Sequence, residues 1–254
     1  MSKNILITGI GNGIGKEIAK LYVKQGHIVI GLDYNQKSLD SLKVEIPKIG
    51  ELFLCDLSKP ERINTFESIS QKYSFDIVIA NAGVGGINPG YSFDTGLNRK
   101  FFEVNYFSVI DLINIFSKKM RKKKKGQFVT VSSLASIRGM PQAASYSSSK
   151  SALNKTVESF RVDLKNDGII FTNVLPGFIK TNMTNHQEFE MPFMISVDKA
   201  ARLISKAIKN KKHTYSFPIS MKLLSLVNMI LPSKIFTLIM HKFASKENKV
   251  PKTF

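Results

Sequence analysis

A glycine-rich turn near the amino terminus limits what this chain can fold into. Residues 8–15 read Thr-Gly-Ile-Gly-Asn-Gly-Ile-Gly and stand between an apolar run and an amphipathic pattern. A buried strand, a tight turn and a helix N-terminus in that order let backbone amides approach a pyrophosphate. The turn therefore predicts a βα unit that binds a nucleotide.

The rest of the chain alternates short apolar runs with longer amphipathic patterns, which predicts a parallel sheet with helices on both faces. A chain of 254 residues can bury one large core of this kind. The predicted fold class is α/β, three-layered and doubly wound, with about seven parallel strands. We predict strands at 3–8, 27–32, 50–55, 76–80, 127–132, 169–174 and 213–217, and helices at 13–25, 36–46, 60–73, 97–123, 146–166 and 197–210.

Cysteine and histidine are too scarce to support a metal site or a disulfide framework. Cys55 is the only cysteine, and the four histidines are scattered along the chain. We therefore predict no metal. The amino terminus carries no charged-then-apolar leader, so we expect a cytoplasmic protein.

A carboxylate at the end of the second predicted strand bears on nucleotide choice. Asp33 stands about twenty residues after the glycine turn, where an acid can accept hydrogen bonds from both hydroxyls of an adenosine ribose. A phosphate on the 2′ oxygen would be repelled there by about 4 kcal/mol per charge pair at an effective dielectric constant near 20. NAD(H) is therefore favoured over NADP(H). The alternative is that Asp33 only caps the next helix.

Tyr146 precedes Lys150 by four residues, which places both side chains on one face of a helix. A neighbouring ammonium stabilises a phenolate and lowers the pKa of the phenol. The pair is therefore interpreted as a tuned acid/base. By itself the spacing is also a common accident of helical surfaces.

Several motifs along residues 3–182 resemble those of the short-chain dehydrogenase/reductase family. The glycine turn fits its Thr-Gly-x-x-x-Gly-x-Gly pattern, and residues 81–83 fit its Asn-Ala-Gly turn. The acid at 56–57 resembles the family's adenine contact, and residues 176–181 resemble the motif whose isoleucine and threonine hold the nicotinamide carboxamide. With the acid after the second strand, the residues expected at the cofactor are Thr8, Gly9, Gly11, Asn12, Gly13, Ile14, Gly15, Asp33, Asp56, Leu57, Asn81, Ala82, Gly83, Tyr146, Lys150, Pro176, Gly177, Ile179 and Thr181.

The same resemblance implies a catalytic tetrad of Asn105, Ser133, Tyr146 and Lys150. Ser133 stands thirteen residues before Tyr146, which is the family's spacing, whereas Ser132 stands fourteen before it. In the implied chemistry Tyr146 transfers the proton and Ser133 hydrogen-bonds to the same substrate oxygen. Lys150 also contacts the nicotinamide ribose, and Asn105 holds a water that joins the lysine to bulk solvent.

The resemblance implies a Rossmann-fold oxidoreductase that interconverts a carbonyl and an alcohol with NAD(H) or NADP(H), as a homodimer or homotetramer. The alternative is a non-catalytic nucleotide-binding sensor or scaffold on the same fold. Such proteins commonly lack the tyrosine or the lysine, and this chain has both.

Soft apolar side chains follow the Pro-Gly motif and suit a hydrophobic ligand. We therefore expect a small apolar carbonyl or alcohol substrate. The family resemblance implies one that is lipid-, retinoid- or steroid-like, because family members that act on such molecules carry apolar tails similar to the one at 218–243. The alternative is that these side chains pack beneath a flexible lid. They are Phe178, Met183, Phe189, Met191, Phe193 and Met194.

The formal net charge is +18, and about half of the excess lies in residues 203–254, which hold ten lysines and one acid. Residues 118–125 place seven further cations in eight positions. Lysines without interleaved arginines and aromatics, and without a nucleic-acid-binding module, argue against a nucleic acid partner. We interpret the run at 118–125 as solvated charge or as an interaction patch of unknown purpose.

Residues 218–254 are predicted to form a C-terminal apolar and basic helical extension of the domain at 1–217. The longest uncharged run, 223–233, has eleven residues, whereas a spanning helix needs about 20. Pro232 predicts two short helices instead. Residues 218–243 are expected to dock reversibly on an anionic membrane surface near the substrate entrance. The alternative is that they pack on the subunit or on a symmetry mate.

Overall fold

The structure is a computed structural model that describes residues 2–181 and 193–247, with 243–247 described by backbone alone. Within these residues seven parallel strands form one sheet, and the predicted α/β fold class is confirmed. The strands are β1 Asn4–Thr8, β2 Ile28–Asp33, β3 Leu52–Leu54, β4 Ile77–Ala80, β5 Gly126–Val131, β6 Ile169–Pro176 and β7 Thr214–Phe217. Their spatial order is β3-β2-β1-β4-β5-β6-β7.

Helices cover both faces of the sheet. They are α1 Gly13–Lys24, α2 Gln36–Glu45, α3 Arg62–Lys72, α4 Thr95–Phe102, α5 Ser108–Lys122, α6 Ala144–Asp163, α7 Val197–Lys209, α8 Ile219–Ile230 and α9 Ser233–Glu247. The strand order reverses between β1 and β4, and in open parallel sheets ligands bind outside the carboxyl ends of the strands at such a reversal. The topology therefore marks the ends of β1 and β4 as the place for a site.

Successive residues of the central strands supply the cores on opposite faces of the sheet. Leu6 of β1 packs in a cluster with Phe66 and Leu112, which lie on α3 and α5. Ile5 and Ile7 pack instead with side chains of α1, α2 and α7, such as Ile18. The alternation follows from the two-residue repeat of a strand, and it produces the near-continuous apolar runs that identified the strands in the sequence.

One predicted helix, 97–123, is divided in the structure. Glu103–Phe107 forms a π-helical segment that joins α4 to α5. The sequence pattern could not reveal this segment, because one wide turn changes the apolar repeat very little. π-Helical turns often occur at functional sites, and this one contains Asn105, whose side chain is fully buried.

The two short helices predicted around Pro232 are confirmed as α8 and α9. Met221 of α8 packs against Leu134 and Leu175, which places this helix beside the carboxyl end of β6. In the part of the chain that the structure describes, no helix is long and apolar enough to cross a membrane. The basic run 118–125 lies at the opposite edge, because α5 ends there just before β5 begins at Gly126.

Candidate active site

A cleft of ≈ 2440 Å³ lies at the carboxyl edge of the sheet. It brings together the glycine turn, the ends of β2, β4, β5 and β6, and the side chains of α8 and α9. Of the predicted site residues, those that line it are Gly9, Asn12, Gly13, Ile14, Asp33, Asp56, Leu57, Asn81, Ala82, Gly83, Ser133, Tyr146, Lys150, Pro176, Gly177, Ile179 and Thr181. Thr8, Gly11, Gly15 and Asn105 are not among the lining residues.

Thr8 and Asn81 join the ends of β1 and β4. The Thr8 Oγ1 accepts hydrogen bonds from the backbone N–H groups of Asn81 and Ala82, at 3.1 and 3.0 Å. The Asn81 Nδ2 donates to the carbonyls of Thr8 and Gly9, at 3.0 and 3.1 Å. These bonds fix the glycine turn to the neighbouring strand and support the floor of the cleft.

The glycine turn approaches its neighbours too closely for side chains. A Cβ on Gly15 would lie 2.2 Å from the carbonyl oxygen of Gly9. Gly13 has a φ of +54°, and a Cβ there would have only Thr181 Cγ2 near it, at 3.8 Å. Gly13 therefore leaves open the space between the turn and residue 181, which is where a pyrophosphate on the α1 N-terminus would lie.

Asp33 is 7% exposed, and its carboxylate is held in place by backbone donors. Its Oδ2 accepts from the N–H of Gly11 at 2.9 Å, and its Oδ1 accepts from the N–H of Asn35 at 3.0 Å. Asn35 itself caps α2 through its side chain, which accepts from the N–H of Ser38. Asp33 therefore braces the turn and faces the cleft at the same time, whereas the alternative role of capping α2 belongs to Asn35.

Asp56 also lines the cleft, together with Leu57 and Ser58. Burial acts to raise the pKa of its carboxyl, but the hydrogen bonds from the backbone and hydroxyl of Ser58, with Lys59 and Lys100 nearby, hold that pKa below its usual value. Both bonds from Ser58 end on Oδ1, at 2.9 and 2.8 Å. The carboxylate is therefore ionised at neutral pH.

Lys150 is almost fully buried at the end of β5. Its Nζ donates to the carbonyl of Val131 at 2.9 Å. Burial disfavours the ammonium and lowers the pKa of Lys150 to about 8. Gly83 makes room for this side chain, because a Cβ on Gly83 would lie 3.3 Å from the lysine Nζ and 3.1 Å from the Asn105 Oδ1.

Tyr146 is half-buried and is hydrogen-bonded to Ser133. Burial raises the pKa of the Tyr146 phenol above its usual value, and the bond with Ser133 opposes this rise only in part. The prediction that Lys150 lowers this pKa is therefore wrong for this structure. The physical reason is that burial outweighs the opposing interaction, while the Lys150 ammonium hydrogen-bonds to the end of β5.

The structure separates the two candidate serines. Ser132 is buried, and its hydroxyl donates to the carbonyl of Lys150 at 3.3 Å. Ser133 caps a short 3₁₀-helix, Leu134–Ser136, by accepting from the N–H of Ala135, and it lines the cleft beside Tyr146. Of the two, only Ser133 has the placement expected of the family's serine.

Asn105 lies behind the wall of the cleft. Its Oδ1 accepts from the N–H of Val84, and its Nδ2 donates to the Val84 carbonyl, both at 2.9 Å. The Nδ2 also donates to the hydroxyl of Ser149 at 3.1 Å. Asn105 therefore joins the segment after β4 to α6 one residue before Lys150.

The Pro-Gly motif continues the sheet edge beyond β6. The N–H of Gly177 donates to the carbonyl of Phe217 at 2.7 Å, and Ile179 forms an isolated β-bridge with Ile195. Thr181, two residues beyond this bridge, lines the cleft. The predicted apolar residues Met183, Phe189 and Met191 lie outside the described residues.

Two residues that support the site, Asn88 and Arg138, carry no signal in the sequence. Asn88 is buried and donates to the hydroxyl of Ser145, directly before Tyr146, at 2.7 Å. Arg138 donates to the carbonyl of Leu231 at 2.7 Å. Both contacts join segments that are far apart in the chain, so no local pattern signals them.

The residues present fit a nicotinamide dinucleotide. The open face of Gly13 suits the pyrophosphate, the Asp33 carboxylate suits ribose hydroxyls, and Lys150 lies deeper in the same cleft beside Tyr146. Within the described residues, no three histidine, cysteine, aspartate or glutamate side chains are grouped so that they could hold a metal ion.

Comparison with known proteins gives consistent matches. The family model of the short chain dehydrogenases matches residues 3–191. An uncharacterized oxidoreductase of Myxococcus xanthus (strain DK1622) is 30% identical over 241 residues, which are 92% of this chain and 94% of that protein. The 3-oxoacyl-[acyl-carrier-protein] reductase FabG of Buchnera aphidicola subsp. Schizaphis graminum (strain Sg) is 32% identical over 186 residues, 72% of this chain and 76% of the relative.

A solved structure extends the comparison to the whole fold. A short chain dehydrogenase from Burkholderia cenocepacia J2315, in complex with NADP, superposes with a TM-score of 0.81 at 20% identity. The superposition covers 94% of this chain and 97% of that one. At this identity the likeness shows the fold.

The buried lysine yields a stability prediction. Lys150→Met removes an ammonium whose pKa falls on folding from 10.5 to about 8, which corresponds to a cost of about 3 kcal/mol below pH 8. Removing the ammonium recovers this cost, but the variant also loses the hydrogen bond to Val131, which is worth about 1 kcal/mol. We therefore expect the variant to be more stable than the parent by about 2 kcal/mol near pH 7 in guanidinium unfolding.

The sign of the pH dependence follows from proton binding. Between about pH 8 and 10.5 the unfolded parent binds a proton that the folded parent does not, so its free energy of unfolding rises relative to that of the variant. The difference in the free energy of unfolding between Lys150→Met and the parent should therefore shrink between about pH 8 and 10.5. Lys155→Met, an exposed change on the same helix, is the control and should leave the free energy of unfolding near pH 7 close to that of the parent. A Lys150→Met protein less stable than the parent near pH 7 would contradict the burial argument.

Proposed function

The chain belongs to the short-chain dehydrogenase/reductase family, whose members oxidise CH–OH or reduce C=O groups with a nicotinamide cofactor, and we propose that Tyr146 is the acid/base of its reaction. The observation that carries the proposal is the grouping of the Ser133–Tyr146 hydrogen bond and the buried Lys150 in the cleft that the glycine turn also lines. This grouping favours an enzyme over a non-catalytic sensor, which needs the turn but not the buried lysine.

Each side chain of the grouping has a separate task in carbonyl reduction. A bound nicotinamide supplies the hydride, or accepts it in the reverse direction. The Tyr146 phenol donates the proton to the developing alkoxide, and a raised pKa keeps the phenol protonated until that charge forms. The Ser133 hydroxyl donates a hydrogen bond to the same oxygen.

Lys150 and Asn105 serve the proton supply. An ammonium with a pKa of about 8 can gain and lose a proton near neutrality. We propose that Lys150 also holds the nicotinamide ribose. Asn105 fixes the Val84 backbone and Ser149 on either side of that lysine, so it orders the route by which a proton reaches Lys150.

We propose NAD(H) as the preferred cofactor because Asp33 is fixed at the ribose end of the cleft by two backbone donors. A 2′-phosphate would meet this carboxylate at short range. The Burkholderia structure holds NADP, so that comparison does not favour NAD. The proposal therefore depends on Asp33 alone.

The proposed substrate is an apolar ketone or secondary alcohol of the lipid, retinoid or steroid kind. Beside Tyr146 the cleft is lined by aliphatic, thioether and aromatic side chains from four segments of the chain. They are Leu134, Ile137, Met140, Phe178, Met221, Leu224, Ile239 and Met240. Such a lining solvates an alkyl or ring skeleton and leaves Ser133 and Tyr146 as the groups that recognise its oxygen.

We propose that the outer face of α8 and α9 docks on an anionic membrane surface on the cytoplasmic side. Ile219, Leu223, Val227 and Ile230 follow one another at helical spacing on α8 and are 73%, 58%, 51% and 76% exposed. Solvent-exposed lysines lie on the same two helices, at 222, 234 and 242. An apolar stripe beside lysines suits the boundary between acyl chains and anionic headgroups.

This surface lies beside the proposed substrate pocket. Leu224 and Ile239 line the cleft, while Leu223 and Leu238 of the same helices are exposed. An apolar substrate could therefore pass from lipid to Tyr146 with little exposure to water. Family members are commonly oligomers, and we propose a homodimer or homotetramer formed through α4, α5 and α6, where Phe107 and Val162 are exposed.

Tyr146→Phe should lower turnover by at least about 100-fold in a panel of ketones and alcohols followed by nicotinamide absorbance, because the transferable proton is lost. The dissociation constant for NADH should stay within about twofold. Tyr106→Phe removes a hydroxyl that bonds to Thr156 outside the cleft and is the matched control. Activity retained by Tyr146→Phe would exclude its catalytic role. Cofactor binding without turnover by the parent, across the panel, would favour the sensor.

The cofactor proposal is tested by titrating NADH and NADPH into the parent and two variants. The parent should bind NADH at least about tenfold more tightly, because the repulsion at the 2′-phosphate exceeds 1.4 kcal/mol. Asp33→Asn keeps the side-chain volume and one acceptor, and Asp33→Ala removes both acceptors. Both variants should bind NADPH more tightly than the parent does. The preference for NADH over NADPH, measured as the ratio of the two dissociation constants, should therefore shrink or reverse. Equal affinities in the parent would show that Asp33 does not select the cofactor.

The membrane proposal predicts that the protein co-sediments with vesicles containing about one third anionic phospholipid, and that high salt weakens the association. Leu223→Glu combined with Leu238→Glu should abolish co-sedimentation. Val44→Glu combined with Ile28→Glu makes the same chemical change at exposed apolar positions elsewhere, and it should bind like the parent. If both double variants bind the vesicles equally well, or if the parent does not bind them, the apolar face serves packing or dimerisation instead of membrane docking.

A further inference from the structure

The helix pair α8–α9 covers the substrate end of the cleft while being weakly anchored by its own side chains. Of the side chains described on the two helices, Met221 and Ser225 are the ones that are buried, and both lie on α8. On α9 the described side chains are exposed except for the half-buried Phe236 and Met240. A wall with so little buried surface needs another fixed contact to keep its position over the cleft.

Arg138 supplies such a contact. Its guanidinium donates to the carbonyls of Asn228 and Leu231 at the carboxyl end of α8, the latter at 2.7 Å. It also lies over the ring of Phe236 on α9, 4.0 Å from the ring centre. One side chain therefore holds the last turn of the first helix and the first turn of the second.

The break at Pro232 explains why a guanidinium suits this position. In an uninterrupted helix the Asn228 carbonyl would accept from the N–H of residue 232, which proline lacks. The carboxyl end of a helix also carries a partial negative charge that favours a cation. Arg138 satisfies the orphaned carbonyl, and its planar head stacks on an aromatic ring at the same time, which a lysine cannot do as well.

Arg138 belongs to the segment that carries the proposed oxygen-binding serine. It follows Ser133 by five residues, across the 3₁₀-helix Leu134–Ser136. The Ser136 hydroxyl bonds back to the carbonyl of Ser133 and accepts from the Asn154 side chain of α6, the latter at 2.6 Å. This segment is therefore fixed to α6, and through Arg138 it fixes the helix pair.

We propose that Arg138 is a positioning residue that holds α8–α9 over the cleft, so that the pair forms the wall against which the distal part of an apolar substrate packs. The inference rests on the proposed function, since it assigns the specificity of that same site. Arg138 lines the cleft, and its guanidinium is engaged by the two carbonyls of the helix pair and the Phe236 ring. It selects for long or bulky substrates by keeping Leu224, Ile239 and Met240 in place.

The test compares Arg138→Met, which keeps the stem but removes the donors, with Arg138→Lys and with the control Arg121→Met. Arg121 is exposed, pairs with Asp167 and lies at the opposite edge of the sheet. Backbone hydrogen exchange over residues 219–247 should be at least about tenfold faster in Arg138→Met than in the parent, and intermediate in Arg138→Lys. Arg121→Met should match the parent. Phe236→Leu, which removes the stacked ring, should show a smaller change in the same direction.

The specificity readout uses 2-butanone, 2-octanone and 2-undecanone with NADH. In the parent the KM should fall with chain length, by up to about fourfold for each methylene that reaches the wall. In Arg138→Met the KM for 2-undecanone should rise at least about tenfold, while the KM for 2-butanone and the dissociation constant for NADH stay unchanged.

Two results would overturn the proposal. One is unchanged exchange in Arg138→Met, and the other is faster exchange with an unchanged dependence of KM on chain length. If the parent reduces none of the three ketones, the proposed substrate class fails. The exchange comparison, which needs no turnover, then still decides whether Arg138 holds the helix pair.

Discussion

The burial of the Lys150 ammonium at the end of β5 is the constraint on which the candidate site depends. Leu153 and Val157, both fully buried, hold α6 against the sheet and leave Lys150 facing the strand end. The strand and the helix are then joined twice, by Lys150 Nζ to the Val131 carbonyl and by the Ser132 hydroxyl to the Lys150 carbonyl. This junction sets the place of Tyr146 one turn earlier on the helix and of Ser133 two residues beyond the strand. The cost of burying the charge is also what brings the pKa of the lysine to about 8.

The two ends of the cleft are joined to this centre by different kinds of contact. At the cofactor end, Thr8 and Asn81 connect the glycine turn to β4 through four hydrogen bonds, and Asp33 braces the turn from the other side. These contacts involve backbone groups that cannot move without loss of the sheet. At the substrate end, the wall is a helix pair with few buried side chains, attached through Arg138. The cofactor half is therefore held by backbone contacts, whereas the substrate half is a helix pair held by the packing of Met221 and, as we propose, by Arg138.

Most of the fold and much of the site follow from local sequence patterns. The strands are readable because parallel strands buried on both faces are continuous apolar runs, and the turn is readable because close backbone approach demands glycine. Ser133, which stands thirteen residues before Tyr146, lines the cleft and hydrogen-bonds to Tyr146, whereas the buried Ser132 hydroxyl donates to the carbonyl of Lys150; this agrees with the family's spacing. What the sequence does not reveal depends on contacts between distant segments. The π-helical segment at Asn105, the bond from Asn88 to Ser145 and the contacts of Arg138 arise only after folding. The pKa of Tyr146 was predicted in the wrong direction because sequence spacing reports the neighbouring charge but not the extent of burial.

In the proposed mechanism a nicotinamide bound in this cleft supplies a hydride to a carbonyl carbon while Tyr146 supplies the proton. The test uses NADH that carries deuterium at both C4 positions, an apolar ketone, and mass spectrometry of the product alcohol. This mechanism predicts one deuterium at the carbinol carbon with the parent protein, and no labelled alcohol above background with Tyr146→Phe. Alcohol formed without deuterium, or labelled alcohol formed equally well by the Tyr146→Phe protein, would contradict it.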